Sequence, residues 1–238
     1  EGKMSSPRQI FTYLKNYFNR KDILKKKKIS ALITTGSTRE YIDPVRYISN
    51  KSSGKQGYEI ANSLKNNGFE TTLISGPTNL KPISGINFIN VNTAEEMLNK
   101  CLDCLPVDIA IFTAAVADYK VKNFYEQKIK KRENLNLDLE QNVDILKHIS
   151  NHNSLRPKLV IGFAAETNNL KKNSIEKLSE KNCDWIISND VSNPEIGFNS
   201  ENNKVSIFYK NKIEENLPKM SKSDVANEIV NKIISDFN

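Results

Sequence analysis

Residues 29–57 read ISALITTGSTREYIDPVRYISNKSSGKQG. The stretch begins with an apolar run of strand length, Ile29–Thr35, and turns at Gly36 into a long polar segment. That segment ends in Ser52-Ser53-Gly54-Lys55-Gln56-Gly57, directly before a helical pattern. A strand, a polar loop and a helix start in this order are typical of the first unit of an α/β protein that binds its ligand beyond the strand ends.

The alternation of strand and helix continues along the chain. Further apolar runs predict strands at Glu70–Ser75, Asn87–Val91, Asp108–Ala115, Lys158–Phe163 and Asp184–Ser188. Helical patterns lie between several of them, at Gly57–Asn67, Ala94–Cys104, Val143–Ile149 and Leu170–Lys181. Continuously apolar strands that alternate with helices indicate an α/β protein with a Rossmann-like, doubly wound, mainly parallel sheet covered on both faces.

Both ends of the chain depart from this alternation. Near the C-terminus, Lys204–Lys210 and Lys212–Glu215 predict a β-hairpin, and an amphipathic terminal helix is predicted from about Ser221 to Phe237. Near the N-terminus, a helix predicted from about Pro7 to Asn19 leads into the lysine run Lys25–Lys28. We therefore expect residues 1–27 to be a separate segment with a linker, and residues 28–238 to form the main domain.

Composition restricts the class of protein. The chain has 238 residues, of which 38% are hydrophobic, and a formal net charge of +7. These values predict a soluble globular protein, and no run approaches the roughly 18 apolar residues that a membrane span needs. The positive charge permits a polyanionic partner but does not require nucleic acid, because the lysines are scattered. Three cysteines argue against a disulfide framework and for a reducing compartment, so we expect a cytoplasmic location.

Two short motifs resemble a zinc-binding set. Cys101 and Cys104 form C-x-x-C, and His148 and His152 form H-x-x-x-H. The pairs are far more distant in sequence than the roughly 12–15 residues that separate them in a zinc finger. Since each pair also fits one face of a helix, we predict no metal site from them.

Four polar stretches follow predicted strands directly. They are Thr35–Gly57, Ala114–Tyr119, Gly162–Thr167 and Asn189–Val191. In a doubly wound sheet the carboxyl ends of the parallel strands share one edge, where ligands bind. The sequence therefore predicts one ligand site built from these four loops.

The first of these loops does not match either common nucleotide-binding motif. A dinucleotide fingerprint, G-x-G-x-x-G, is missing because the turn holds only Gly36, and a Walker A loop is missing because Gln56 follows Gly54-Lys55. The free N–H groups at the helix start, the hydroxyls and Lys55 could still hold a triphosphate. A polar surface turn is the alternative. Competing functions are an NAD(P)-binding oxidoreductase and a basic nucleic-acid-binding module.

Longer motifs give a more specific indication. The segments 34–40 (TTGSTRE), 43–55 (DPVRYISNKSSGK), 114–119 (AAVADY), 128–131 (KIKK), 162–167 (GFAAET) and 189–191 (NDV) closely resemble bacterial phosphopantothenoylcysteine synthetase, in the same order. The resemblance runs from about Lys28 to the C-terminus. In bacteria this family is usually the C-terminal half of a bifunctional enzyme of coenzyme A biosynthesis. Residues 1–27 resemble the tail of its flavin-dependent decarboxylase, so FMN is expected only on that missing half.

The resemblance implies a ligase. Such an enzyme joins 4′-phosphopantothenate to cysteine with CTP as co-substrate and Mg²⁺ as cofactor, through an acyl-cytidylate, and releases pyrophosphate and CMP. Its partners are small molecules, with neither nucleic acid nor a membrane involved. The resemblance also implies a homodimer in which the segment Tyr119–Lys131 reaches toward the other subunit.

It further implies which residues act. Asn50 would steady the tetrahedral species, Arg46 would hold a carboxylate or phosphate, and Lys128 would cover the triphosphate from a mobile flap. Nucleotide contacts would come from Ser52, Ser53, Gly54, Lys55, Ala114, Ala115, Asp118, Lys128, Val143, Asp144, Ile145, Leu146, Phe163, Lys177 and Lys181. No side chain is assigned to a metal. Two positions depart from the family pattern: Val143 replaces a proline, and Lys51 replaces a common histidine.

Overall fold

The computed structural model describes residues 29–131, 135–192 and 200–237, together with Pro7, Ile10 and Phe11. The helix predicted from Pro7 to Asn19 lies outside the described residues apart from those three, which are helical. The described part of the chain contains no helix that is long and apolar enough to cross a membrane.

The observed elements follow the predicted alternation. In chain order the strands are β1 (Ser30–Thr35), β2 (Glu40–Asp43), β3 (Arg46–Ile48), β4 (Glu70–Ser75), β5 (Asn87–Asn90), β6 (Ile109–Phe112), β7 (Tyr119–Val121), β8 (Leu139–Gln141), β9 (Leu159–Glu166), β10 (Trp185–Asp190), β11 (Asn202–Asn203), β12 (Val205–Tyr209), β13 (Glu214–Asn216) and β14 (Met220–Ser221). The helices are α1 (Lys55–Asn66), α2 (Ala94–Asp103), α3 (Ile145–Ser150), α4 (Leu170–Lys181) and α5 (Lys222–Asp236).

The central sheet has the strand order β13-β12-β10-β9-β6-β1-β4-β5. From β5 to β10 neighbouring strands are parallel, and β12 and β13 add an antiparallel hairpin beside β10. The six parallel strands thus have the order 3-2-1-4-5-6 of a Rossmann fold, which confirms the predicted fold class, hairpin and terminal helix. Because the winding direction reverses between β1 and β6, their carboxyl ends flank a crevice.

Several element boundaries differ from the prediction by two or three residues, and three of them have a clear local reason. Strand β9 continues to Glu166 because β10 pairs with it as far as that residue. Helix α3 begins two residues late, because the Asp144 side chain accepts a hydrogen bond from Lys147 N at 2.8 Å and caps the helix. Strand β6 ends at Phe112, after which Ala115 N donates to Gly36 O and follows the turn of the first loop.

Apolar residues fill both faces of the sheet. On one face, Ile33 and Ile111 pack with α1 and α5, and on the other, Leu32 and Ala110 pack with α2 and α3. Alternate residues of β1 therefore pack against the helices on opposite faces of the sheet, as a strand covered on both faces requires.

Gly57 sets the position of α1 over the crevice. It lies in the first turn of α1 and is buried. A Cβ atom at this position would come well within 3.0 Å of the hydroxyl oxygens of Thr35 and Thr113, at the ends of β1 and β6. The helix start can thus approach the sheet closely only because residue 57 has no side chain.

Asp43 anchors a second part of the crevice wall. Its carboxylate is fully buried and accepts hydrogen bonds from the backbone of Val45 and Arg46 and from Ile129 N, at 2.8, 2.9 and 3.1 Å. The Arg46 guanidinium adds an ion pair at 2.9 Å. Burial would raise the pKa of Asp43, but these donors outweigh it and hold the pKa below its ordinary value. Asp43 thus fastens the segment around Ile129 to the β2–β3 hairpin.

Substituting Gly57 tests the close approach of α1. Alanine favours a helix by about 1 kcal/mol over glycine, so propensity alone would make Gly57→Ala stabilising. We expect the variant instead to lose about 1–3 kcal/mol of unfolding free energy, because the new methyl group meets two threonine hydroxyls. Urea denaturation measures this, with the exposed Asn66→Ala at the other end of α1 as control. A more stable Gly57→Ala protein would contradict the packing.

Acidification tests the Asp43 anchor. A carboxylate with a lowered folded pKa stabilises the protein above its unfolded pKa, and this contribution disappears as the pH falls through the folded value. Wild type should therefore be more stable than Asp43→Asn at pH 7, and the difference should shrink as the pH falls below about 4. Denaturant titrations between pH 7 and pH 2 measure it. A difference that stays constant over this range would show that the Asp43 charge is not what holds the segment.

Candidate active site

One large cavity lies at the carboxyl ends of the parallel strands. Its volume is about 960 Å³, and it is lined by the loops after β1 and β6, by residues near the ends of β9 and β10, and by the segment between β8 and α3. The residues predicted to bind or act that line this cavity are Asn50, Ser52, Ser53, Gly54, Lys55, Ala114, Ala115, Asp118, Val143, Asp144, Ile145, Leu146, Phe163, Lys177 and Lys181. The fold thus brings together four loops that are far apart in sequence.

The serine–glycine loop forms one end of the cavity. Gly54 is the N-cap of α1 with φ at 73°, a left-handed conformation that suits glycine, and no side chain caps the helix there. Its carbonyl accepts a hydrogen bond from Thr35 Oγ1 at 2.8 Å, and its N–H donates to Ser52 Oγ at 3.2 Å. The first-turn N–H groups of α1 have no intrahelical acceptor. With Lys55 beside them, they can bind the oxygens of a phosphate chain.

Asn50 lies where the first loop meets the loop after β6. Its Nδ2 donates to Val116 O at 2.8 Å, and its side chain lies at the cavity wall. The Val116 loop is fixed in turn, because Ala117 N donates to Thr38 Oγ1 at 3.0 Å. The amide is therefore oriented by the backbone and leaves a second N–H available to a ligand.

The segment 143–146 forms the other end of the cavity. Leu146 packs over the bare backbone of Gly162, where a Cβ would come within 3.0 Å of the leucine side chain. Val143, the residue that departs from the family proline, has an N–H that donates to Asn142 Oδ1 at 2.9 Å. The additional N–H is thus satisfied locally.

Two lysines of α4 border this end. Lys177 pairs with Glu166 at 2.6 Å, and Lys181 pairs with Asp144 at 2.7 Å. Burial alone would lower the pKa of Lys181, but its hydrogen bonds to Asp144 and Glu180 outweigh this and raise the pKa. Both lysines are partly exposed at the cavity, beside the partly buried ring of Phe163.

Arg46 and Lys128 do not line the cavity. The Arg46 guanidinium is held by Asp43 and donates to Ile129 O at 3.1 Å. Lys128 is exposed on the segment that Asp43 fastens to the hairpin. The structure thus places these two predicted cations together but outside the cavity wall, and their catalytic roles remain predictions.

Several lining residues were not singled out from the sequence, although Thr35 belongs to the predicted loop Thr35–Gly57. Thr35 and Thr113 lie at the carboxyl ends of β1 and β6, and their positions directly after apolar runs were a usable signal. Lys222 also lines the cavity and is buried, yet it comes from the start of α5. Nothing in the local sequence around Lys222 distinguishes it from the other lysines. Within the described ranges, no three His, Cys, Asp or Glu side chains cluster as metal ligands.

Comparisons with known proteins agree on one family. The sequence profile described as "DNA/pantothenate metabolism flavoprotein C-terminal domain" matches residues 24–237. The coenzyme A biosynthesis bifunctional protein CoaBC of Haemophilus influenzae is 43% identical over 239 residues, which cover 100% of this chain and 58% of that protein. The CoaBC protein of Borreliella burgdorferi is 44% identical over 233 residues, or 96% and 58% of the two chains. The chain therefore spans under two thirds of these relatives.

Solved structures show the same architecture. The crystal structure of the C-terminal domain of CoaBC superimposes with a TM-score of 0.75 at 39% identity, covering 89% of this chain and 96% of that one. A Cab2 mutant in complex with phosphopantothenate-cysteine gives a TM-score of 0.71 at 16% identity, covering 98% and 94%, and this likeness concerns the fold alone. The resemblance inferred from the motifs is thus confirmed: the chain belongs to the family of the DNA/pantothenate metabolism flavoprotein C-terminal domain.

Proposed function

We propose that residues 28–238 form a CTP-dependent ligase that joins 4′-phosphopantothenate to L-cysteine in coenzyme A biosynthesis. The name and identity of the CoaBC relatives support this assignment. The observation that carries it is the cavity at the strand ends, which the serine–glycine loop, the segment 143–146 and the two lysines of α4 all line. An NAD(P)-dependent oxidoreductase gains no support, because the turn after β1 holds one glycine, Gly36.

The reaction divides into two displacements. First, the carboxylate oxygen of phosphopantothenate attacks the α-phosphorus of CTP, and the bond to the bridging oxygen breaks to release pyrophosphate. Second, the cysteine amine attacks the acyl-cytidylate carbonyl, loses a proton, and expels CMP as the amide forms. Each step concentrates negative charge on oxygen, so N–H donors and cations placed beforehand stabilise its transition state.

The two ends of the cavity suit the two ends of a nucleotide. The first-turn N–H groups of α1, which lack an intrahelical acceptor, and the Lys55 side chain would bind the triphosphate, as at other helix starts that bind phosphate. The segment 143–146 and Phe163 receive the base, and Lys177 and Lys181 border it. Asn50 lines the cavity beside Val116, where its oriented amide can donate to the acyl oxygen without forming an ion pair with the carboxylate.

Lys128 needs a conformational change to act. In the proposed role it covers the triphosphate, whereas here its segment is fastened to Asp43 through Ile129. Arg46 is held by the same carboxylate. We therefore place both cations on an element that rearranges when substrates bind.

The proposed Mg²⁺ ion would arrive with the triphosphate. Three exposed carboxylates line the cavity: Asp118, Asp144 and Glu180. Asp144 and Glu180 pair with Lys181, so Asp118 is the one that suits either a magnesium ion or a ribose hydroxyl. An ion held mainly by phosphate oxygens and water needs no closed protein cage, and its charge would offset that of the phosphates.

An exposed apolar surface supports the proposed homodimer. It lies on the β2–β3 hairpin, on β7 and on the segment after β7, and Tyr125 N donates to Ile42 O at 3.0 Å to join them. Its large side chains are 44–57% exposed: Val45, Tyr47, Tyr119, Phe124 and Tyr125. Such a concentration of aromatic residues on one surface marks an interaction site. A second copy of the chain is the partner that we propose.

The remaining assignments stay proposals. We propose that residues 1–27 are the tail and linker of a decarboxylase-like domain, and the start of the family match at residue 24 supports a boundary near residue 28. FMN would belong to that other domain. A cytoplasmic location is consistent with three free cysteines, of which Cys101 and Cys183 are buried.

Pyrophosphate release measures the proposed reaction directly. With Mg²⁺ and 4′-phosphopantothenate present, we expect release with CTP at a rate well above that with ATP, GTP or UTP, because the segment 143–146 selects the base. Adding cysteine should then produce CMP and the amide. Release that is equal with all four nucleotides, or that needs no phosphopantothenate, would contradict the proposal.

Asn50→Ala separates the two half-reactions. Loss of one oriented donor to a developing oxyanion slows a step by about 10²–10³-fold. We expect amide formation to fall by about this factor, while pyrophosphate release without cysteine stays near the wild-type rate. Rapid-quench assays of both products measure this, with Asn66→Ala as a control that removes an amide outside the cavity. Equal loss in both half-reactions would assign Asn50 to nucleotide binding instead.

A further inference from the structure

A second cavity adjoins the first on the far side of Lys55. Its volume is about 520 Å³, and it lies between α1, the loop around Leu80 and the start of α5. Lys55 and Lys222 line both cavities, so their side chains form the wall between them. The chain thus has a second space directly beyond the phosphate loop, and Lys55 is the one proposed nucleotide contact that borders it.

Lys222 is an unusual residue at this wall. It is 7% exposed and is the first residue of α5, where the positive end of the helix disfavours a cation. Burial lowers the pKa of Lys222 and the ammonium of Lys55 lowers it further, against an opposing effect of the Glu201 carboxylate. The fold therefore holds two like charges close together at an electrostatic cost.

The backbone keeps Lys222 in this position. Its N–H donates to Glu201 O at 3.0 Å, and its carbonyl accepts a hydrogen bond from Gln56 Nε2 at 3.1 Å. Ser221 caps α5 by accepting from Asp224 N at 3.0 Å. These bonds fasten the start of α5 to the start of α1, so both lysines are fixed relative to the phosphate loop.

The carboxylate of Glu201 is an anion that already lines the second cavity with the two lysines. Its carboxylate forms an ion pair with Lys55, yet its side chain is 79% exposed. An exposed ion pair contributes little stability and exchanges readily for a stronger anion. A phosphate group that displaced Glu201 from Lys55 would also come near Lys222, the other lysine that lines both cavities.

We propose that Lys55 and Lys222 form an anion site that receives the pyrophosphate released from the nucleotide, with the second cavity as its way out and Glu201 as the competing carboxylate. This inference rests on the proposed function for the source of the anion. The site itself takes inorganic pyrophosphate, a polyanion with oxygens on both ends, which the two cations can contact together. The product then leaves by a side of the crevice that the acyl-cytidylate does not block.

Binding of pyrophosphate alone, measured by calorimetry, tests the site. We expect Lys222→Met to weaken binding about tenfold, as loss of one charge-assisted contact does, and Lys222→Arg to restore most of it. Glu201→Gln should tighten binding several-fold, because the competing carboxylate is gone. Lys232→Met removes the same charge from the same helix, where Lys232 pairs with Glu215, and should leave binding unchanged. Equal affinity for Lys222→Met and wild type would overturn the inference.

Steady-state inhibition distinguishes this inference from the proposed function. In Lys222→Met the inhibition constant of pyrophosphate should rise about tenfold, while KM for CTP changes much less. If Lys222→Met turns over CTP and its inhibition by pyrophosphate is the same as in wild type, the ligase assignment stands and the exit site is overturned. Conversely, pyrophosphate binding that depends on Lys222 in a protein without CTP turnover would support the site and contradict the ligase assignment. Melting curves check that each variant is folded.

Discussion

The absence of a side chain at Gly57 is the constraint on which the rest of the structure depends. Helix α1 lies against the ends of β1 and β6, and any Cβ at this position would collide with Thr35 and Thr113. The two threonines bind backbone at the same place, Thr35 to Gly54 O and Thr113 to Thr34 O. The reversal of strand order opens a crevice there, and the close approach of α1 places a helix start inside it.

Much of the fold could be predicted from the sequence because its signals are local. The apolar runs that predicted strands lie within a few residues of β1, β4, β5, β6, β9 and β10, since a strand buried on both faces must be apolar throughout. The residues at which individual strands and helices begin and end were less predictable. Capping by Asp144 and pairing of β10 with β9 depend on contacts with other residues, which the sequence alone does not reveal.

In the candidate site, too, some features were predictable from the sequence and others were not. The serine–glycine loop and the loop 114–119 were predicted to converge because the carboxyl ends of parallel strands share one edge. The position of Arg46 was not predictable, because it depends on Asp43, a buried carboxylate whose partner Ile129 lies 86 residues away. Lys222 was not identified at all, since only the packing of α5 against α1 brings it to the crevice. Sequence motifs located the loops, whereas long-range electrostatics decided which cations reach them.

The strands at the two margins of the sheet have a consequence for self-association. Strand β13 carries Glu214 and Glu215, which pair with Lys171 and Lys232, and β5 begins and ends with asparagine. Charged side chains on a border strand resist the addition of another chain by backbone hydrogen bonding, whereas asparagines offer no such charge. Fibril-like stacking through the β13 border is thereby disfavoured.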